Sequence, residues 1–301
     1  MTARDRRPVQ ARRSWFFVEG ANDAALAAAP ESGADVLIQE LEDFTPPAGR
    51  PHARAASPEV MERWRRAGAV AAVRVNPLEG DGMADLESVM AGAPDIILLP
   101  KADDAEQIRA LDAAVTDLEA RYGIAPGSTE LTPNVELARG LMNTFSICRA
   151  SPRVSACLVA SEDMAADLGA ERSRDGGELG YVRARFHVEC VAAGVVSIDC
   201  PYTWTDAEGV EADTLAARRL GYRAKSAVHA GHAAIINRVL TPAADEIARA
   251  GRVVEAFEAA QAAGLGRVEV DGSLVEVPIY LNARRLLERA TQLGVGPDRS
   301  R

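Results

Sequence analysis

From residue 14 to about residue 230, short apolar runs alternate with stretches whose apolar positions recur at helical spacing. Residues 14–20 (SWFFVEG), 35–43 (DVLIQELED), 70–77 (VAAVRVNP) and 95–101 (DIILLPK) read as strands. So do 130–136, 154–163, 197–203 and 224–229, which makes eight. Helices are predicted over 21–32, 57–67, 83–90, 104–122, 138–149, 178–193 and 209–220. Strands that alternate with crossover helices imply parallel pairing. About eight such units favour a closed (β/α)8 TIM barrel over an open sheet. An open doubly wound sheet more often carries a glycine-rich phosphate turn after its first strand, and Val18-Glu19-Gly20-Ala21-Asn22 has no G-x-G-x-x-G.

After residue 240 the pattern changes. Residues 243–263 read as a helix, 267–277 (RVEVDGSLVEV) as a hairpin turning at Asp271-Gly272, and 280–293 as a last helix. A tail of this size is small for an independent domain. The expected organisation is a flexible arginine-rich tail over 1–12, a barrel over 13–240, and a helix-hairpin-helix lid or oligomerisation arm over 241–301.

Composition narrows the partners. The chain has 301 residues and a formal net charge of −10. An acidic chain is a poor ligand for nucleic acid, whose phosphates need Lys and Arg. No apolar run reaches the roughly 18 residues of a membrane helix, and the first residues lack the apolar core of a secretory signal. A cytoplasmic location is expected. Cys148, Cys157, Cys190 and Cys200 form no C-x-x-C pair and no zinc-type cluster, so they read as reduced, buried thiols.

In a (β/α)8 barrel the site forms at the carboxyl ends of the strands. In this chain those ends carry Glu42-Asp43, Arg74 with Asn76, Lys101, Glu136, Glu162-Asp163, Asp199 and His229. Charge at the end of an apolar strand is expensive to bury unless it is paired or bound to metal. Carboxylates without a His or Cys cluster suit a hard cation such as Mg2+. Glu136 and Asp163 end neighbouring strands and could converge on one ion, or each could cap a helix or pair with a rim arginine. Arg74 suits bidentate capture of a carboxylate. Lys101 is open between a Schiff-base role and an ion pair with Glu42 or Glu136. His229 either positions a substrate oxygen or donates to a carboxylate, and Asp199 either meets substrate or fixes its turn.

These segments resemble the citrate lyase beta-subunit family within the HpcH/HpaI aldolases. The likeness runs through Arg13-Ser14-Trp15-Phe16-Phe17-Val18, Leu41-Glu42-Asp43, Val73-Arg74-Val75-Asn76-Pro77 and Leu99-Pro100-Lys101. It continues through Glu136-Leu137-Ala138-Arg139-Gly140, the segment from Ser161 to Gly169, and Asp199, Lys225, His229, Thr241-Pro242 and Val270-Asp271-Gly272. The resemblance implies a Mg2+-dependent carbon–carbon lyase that splits or forms a hydroxyacyl thioester such as malyl-CoA, citramalyl-CoA or citryl-CoA. The products would be an acyl-CoA thioester and a 2-oxo acid. It implies metal ligands at Glu136 and Asp163, and Arg74, Phe17, Asp199 and His229 on the substrate. Glu42 and Asp43 would orient water and move the proton, and the assembly would be a homotrimer or homohexamer. The alternatives are an aldolase on a free hydroxy-oxo acid, or a weakened ligand-binding or assembly subunit. Five positions depart from the family pattern. Glu19 stands for a proline, Glu40 for an aspartate, and Phe44-Thr45 for a small residue and valine. Glu276 stands for the catalytic aspartate that family members extend into a neighbouring subunit. It is either a substitute acid/base or an exposed hairpin residue.

Overall fold

A computed structural model describes residues 6–296, which divide into two compact units, one ending at Leu240 and the other starting at Thr241. In the first unit the chain runs β1 (Ser14–Glu19), α1 (Asp23–Ala28), β2 (Val36–Glu40), α2 (Arg50–Arg66), β3 (Val70–Arg74), α3 (Met83–Val89), β4 (Ile96–Leu99), α4 (Ala105–Tyr122) and β5 (Glu130–Val135). It continues with α5 (Ala138–Cys148), β6 (Ala156–Val159), α6 (Glu162–Leu168), α7 (Gly180–Ala193), β7 (Val196–Asp199), α8 (Ala207–Leu220), β8 (Ala224–Ala227) and α9 (His232–Leu240). All eight strands pair in parallel with their neighbours and β1 pairs with β8, closing the barrel.

Side chains alternate across each strand, so the barrel has two apolar regions. Trp15, Phe17, Val36, Ile38, Val70, Ala72, Ile96, Leu98, Leu158, Ile198 and Ala224 cluster together inside the cylinder. Phe16, Leu37, Ala71, Val73, Ile97 and Cys157 belong to the layer shared with the helices. This parity decides which polar residue reaches the axis. Positions 40 and 74 follow the interior residues by two, whereas 199 and 225 follow them by one.

Several boundaries differ from the sequence reading. The second helix starts at Arg50, two turns early, because Pro51 sits in the first turn where its missing N–H is not needed. β6 ends at Val159, so Glu162 and Asp163 open α6 instead of ending a strand. Helices α6 and α9 were not in the predicted set. The expectation of a flexible tail over 1–12 is corrected for residues 6–12, while residues 1–5 lie outside the described part. Arg12 is buried and grips Glu130 through two nitrogens at 2.7 and 2.9 Å, and Arg6 donates to the carbonyls of Asp95 and Ser128. Carboxylates at the amino ends of the strands hold these arginines.

The second unit contains α10 (Ala244–Ala262), an antiparallel hairpin of β9 (Val268–Val270) and β10 (Ser273–Val275), and α11 (Val277–Gln292). Asp271 and Gly272 both have positive φ, 49° and 72°, as a tight Asp-Gly turn requires. Phe257 stacks on Tyr280 in its core. Among the described residues no helix is long and apolar enough to cross a membrane.

Candidate active site

Glu40, the last residue of β2, is fully buried on the interior face. One oxygen accepts from the backbone N–H of Glu42 at 2.6 Å and the other from that of Phe44 at 2.7 Å. The carboxylate thereby fixes the loop that carries Glu42, Asp43 and Phe44. The preceding turn closes onto the same residue. Gly20 N–H meets the Glu40 carbonyl at 2.9 Å, and a Cβ at Gly20 would stand 2.3 Å from that oxygen, so only glycine fits.

Arg74, at the end of β3, is the hub. Its Nε donates to Glu40 at 3.0 Å, Nη2 meets Glu42 at 3.2 Å, and Nη1 donates to Glu136 at 3.3 Å. The rings of Phe17 and Phe44 lie 5.1 and 5.9 Å from its guanidinium carbon. Burial works against the Arg74 charge, but Glu40, Glu136 and Glu42 outweigh it and raise the pKa. The guanidinium stays charged, held at its edges by carboxylates and within cation–π range of two rings.

Lys101 follows β4 in a left-handed conformation, φ 49°. It pairs with Glu42, and with Asp43 at 3.1 Å. Burial would depress its pKa, but the contacts to Glu42 and Asp43 raise it. A Schiff-base lysine needs the opposite, so the ion-pair reading is the one the structure supports.

Glu136 follows β5, fully buried. Burial raises its carboxyl pKa to about 7, against the pull of Arg74, and the charges of Glu42 and Asp163 add to the rise. Its Oε2 has no hydrogen-bond partner. Asp163, half-buried in the first turn of α6, makes no hydrogen bond or ion pair among the described residues. Gly140 lets the first turn of α5 approach the loop that follows β4, since a Cβ there would lie 2.4 Å from the Ala102 carbonyl.

Among the described residues, the side chains of Glu40, Glu42, Asp43, Glu136 and Asp163 share two cations as partners, Arg74 and Lys101, while Arg50 reaches the Glu42 carbonyl. An orphaned buried oxygen and an unpaired carboxylate, in a region with excess negative charge, fit a hard divalent cation bound through oxygen. A cleft of about 380 Å³ opens beside Lys101, between Leu78, Gln107 and Leu137.

The other expected site residues lie elsewhere. Asp199 is a correction: it is fully buried, facing the helix layer because Ile198 faces the axis. Arg183 takes both of its oxygens at 2.9 and 2.7 Å and Lys225 adds a contact at 2.6 Å. Asp213 completes the cage, 2.7 Å from Arg183 and 2.5 Å from Lys225. No oxygen of Asp199 is left for a substrate. Glu162 pairs with Arg172 at 3.1 Å and accepts from Thr203. Asn76 donates to the Leu41 carbonyl and to Asp85. His229, half-buried after β8, contacts the Thr203 carbonyl at 3.0 Å and lies edge-on to His232. Glu276 is exposed and precedes α11 in the second unit.

Sequence reasoning treated Glu40 only as a departure from a pattern and missed it as the main partner of Arg74. The signal was its place two residues after Ile38, on the interior face. The four cysteines are free and buried, as read from the sequence, and the fold in addition brings Cys148, Cys157 and Cys190 together.

A family model described as HpcH/HpaI aldolase/citrate lyase matches residues 13–230. Citrate lyase subunit beta of Escherichia coli strain K12 is 32% identical over 291 residues, 96% of each chain. A (3S)-malyl-CoA thioesterase of Cereibacter sphaeroides is 31% identical over 285 residues, covering 92% of this chain and 94% of that one. The crystal structure of protein CitE from Mycobacterium tuberculosis, in complex with magnesium, acetoacetate and coenzyme A, superposes with a TM-score of 0.75 at 26% identity. It covers 93% of this chain and 98% of that one. On the barrel-wide family match and relatives above 30% identity over nearly the whole length, the chain belongs to the HpcH/HpaI aldolase/citrate lyase family.

Proposed function

We propose that this chain is a magnesium-dependent carbon–carbon lyase acting on a hydroxyacyl-CoA thioester, with Glu136 and Asp163 as the metal ligands. The observation that carries the reading is the buried, unpartnered Oε2 of Glu136, whose carboxyl also feels the charge of the unpaired Asp163. The similarity to citrate lyase beta subunits and to a protein crystallised with magnesium and coenzyme A supports it. When bound, magnesium supplies positive charge that orients the substrate carboxylate and hydroxyl and lowers the hydroxyl pKa.

The chain's own residues do the rest. Arg74 pairs with the substrate carboxylate and stabilises the negative charge that develops as the bond breaks. Glu40, Phe17 and Phe44 hold its guanidinium in place, so little reorganisation is needed at the moment of reaction. Glu42 and Asp43, steadied by Lys101, accept the hydroxyl proton. The electrons of that O–H bond form the carbonyl of the departing 2-oxo acid, and those of the C–C bond stay with the thioester as an enolate. Protonation of its carbon completes the acyl thioester. Glu276, brought by a neighbouring copy in a trimer, is the group assigned to that proton, and His229 positions substrate at the rim. In the fold-stabilising cage, Asp199 takes no part.

Malyl-CoA, citramalyl-CoA and citryl-CoA, each incubated with and without EDTA, test the activity. Metal-dependent release of a 2-oxo acid is expected from at least one, and none from any would refute the reading. Likeness to a malyl-CoA thioesterase favours a second outcome. Hydrolysis would give a hydroxy acid and free CoA, with no 2-oxo acid.

A further inference from the structure

Outside the rim, the fold assembles a second set of ligating side chains from three elements. Cys148 is the last residue of α5, Cys157 lies on β6, and Cys190 stands in the last turn of α7. Their sulfurs all lie within 4.8 Å of one another, and the residues are 2%, 0% and 0% exposed. The convergence follows from strand parity. Ala156 and Leu158 face the barrel axis, so Cys157 faces outward into the layer where α5 and α7 pack together. Cys157 donates its S–H to the Pro133 carbonyl at 3.3 Å.

The donor set selects the ligand. It holds sulfur alone, with no carboxylate or imidazole in the group. Hard cations such as magnesium and calcium take oxygen ligands and are excluded. Structural zinc sites are almost always tetrahedral and four-coordinate, and this group offers three donors. Soft thiolates select ions of the Cu(I) type. With a metal–sulfur bond of about 2.3 Å, a planar three-sulfur site places its sulfurs about 4 Å apart. The observed spacing needs an adjustment of under about 1 Å, within the reach of side-chain rotation.

We propose that Cys148, Cys157 and Cys190 form a binding site for one soft, thiophilic metal ion of the Cu(I) class, held by sulfur alone. Each thiol that ligates as thiolate releases its proton to solvent. Such an ion would tie α5 and α7 to β6. Two of these, α5 and β6, adjoin the proposed magnesium ligands, since α5 begins two residues after Glu136 and Asp163 lies four residues beyond β6. The two sites separate by chemistry, oxygen on the rim and sulfur behind the sheet.

The test uses the reduced full chain under anaerobic conditions, offered Cu(I) from a bathocuproine disulfonate complex. The chain is expected to withdraw one equivalent, with X-ray absorption showing only sulfur neighbours, and to unfold at higher temperature once loaded. Cys148→Ser and Cys190→Ser are expected to lose the uptake, and Cys200→Ser to keep it. Failure of the wild-type chain to hold Cu(I) against the chelator overturns the proposal. So do oxygen or nitrogen neighbours, or equal uptake by a chain with all three cysteines replaced by serine. Should a variant fail to fold, competition and absorption on the wild-type chain decide alone. Zn(II) offered in parallel is expected to bind more weakly, and tighter zinc binding overturns the Cu(I) assignment.

Discussion

Arg74 Nη1 stands 3.3 Å from one oxygen of Glu136, while the other oxygen of that buried carboxyl has no hydrogen-bond partner. One half of the side chain is committed to holding the arginine, and the other half is left for a ligand. That division gives the metal-free protein a pH dependence. Burial raises the Glu136 pKa from 4.5 to about 7, so the folded state holds this proton more tightly than the unfolded one. The stabilisation is complete below about pH 4.5 and is lost as pH rises through about 7. At one pKa unit per roughly 1.4 kcal/mol, ionised Glu136 destabilises the metal-free chain by about 3 kcal/mol at pH 8. Glu136→Gln is expected to gain about that much in urea unfolding at pH 8 without metal, and nearly nothing at pH 5. A variant less stable than wild type at pH 8 contradicts the reading.

Arg74→Lys keeps a positive charge near Glu40 but removes the fork and its three separate contacts. The expected result is a fall in kcat/KM on the order of 100-fold, since misplacement by about 1 Å can cost that much. Steady-state kinetics against the thioester substrate read it. Activity within about threefold of wild type would show that the guanidinium geometry is not used.

The cage of Asp199, Arg183, Lys225 and Asp213 is buried and lies on the helix side of the sheet. Removing one cation leaves carboxylates underpaired in low dielectric, which destabilises by about 3–5 kcal/mol. Lys225→Met is expected to show that loss in urea unfolding while its folded fraction keeps wild-type turnover. A stable but inactive variant would return Asp199 and Lys225 to the reacting site.

Glu276 tests the shared-site proposal. Glu276→Ala is expected to be inactive on its own, and so is Arg74→Ala. Unfolding the two chains together and refolding them as a mixture is expected to restore activity, because some sites then combine an intact barrel with an intact hairpin. No recovery from a mixed, assembled population would place the acid/base within a single chain or elsewhere.

Much of the barrel was legible because apolar strands and amphipathic helices have different periods, and eight alternations leave few topologies. Glu42, Asp43, Arg74, Lys101 and Glu136 follow from the same logic, as charges placed where a strand ends. Asp199 failed because position along a strand does not give the face; one residue beyond Ile198, it turns to the helices. Glu162 and Asp163 were placed on a strand that stops at Val159 because the apolar run continues into α6. The start of α2 was hidden by Pro51, which reads as a breaker unless the helix is known to begin just before it. The cysteine cluster was not legible, because residues 148, 157 and 190 meet only through tertiary packing.

Titration of the metal-stripped chain with magnesium, followed by calorimetry at pH 8, bears most directly on the central claim. One ion per wild-type chain is expected, with affinity weakened at least about 10-fold by Glu136→Gln and by Asp163→Asn. Unchanged magnesium affinity in both variants, each shown to be folded, would contradict the assignment of these two carboxylates and the lyase site built on them.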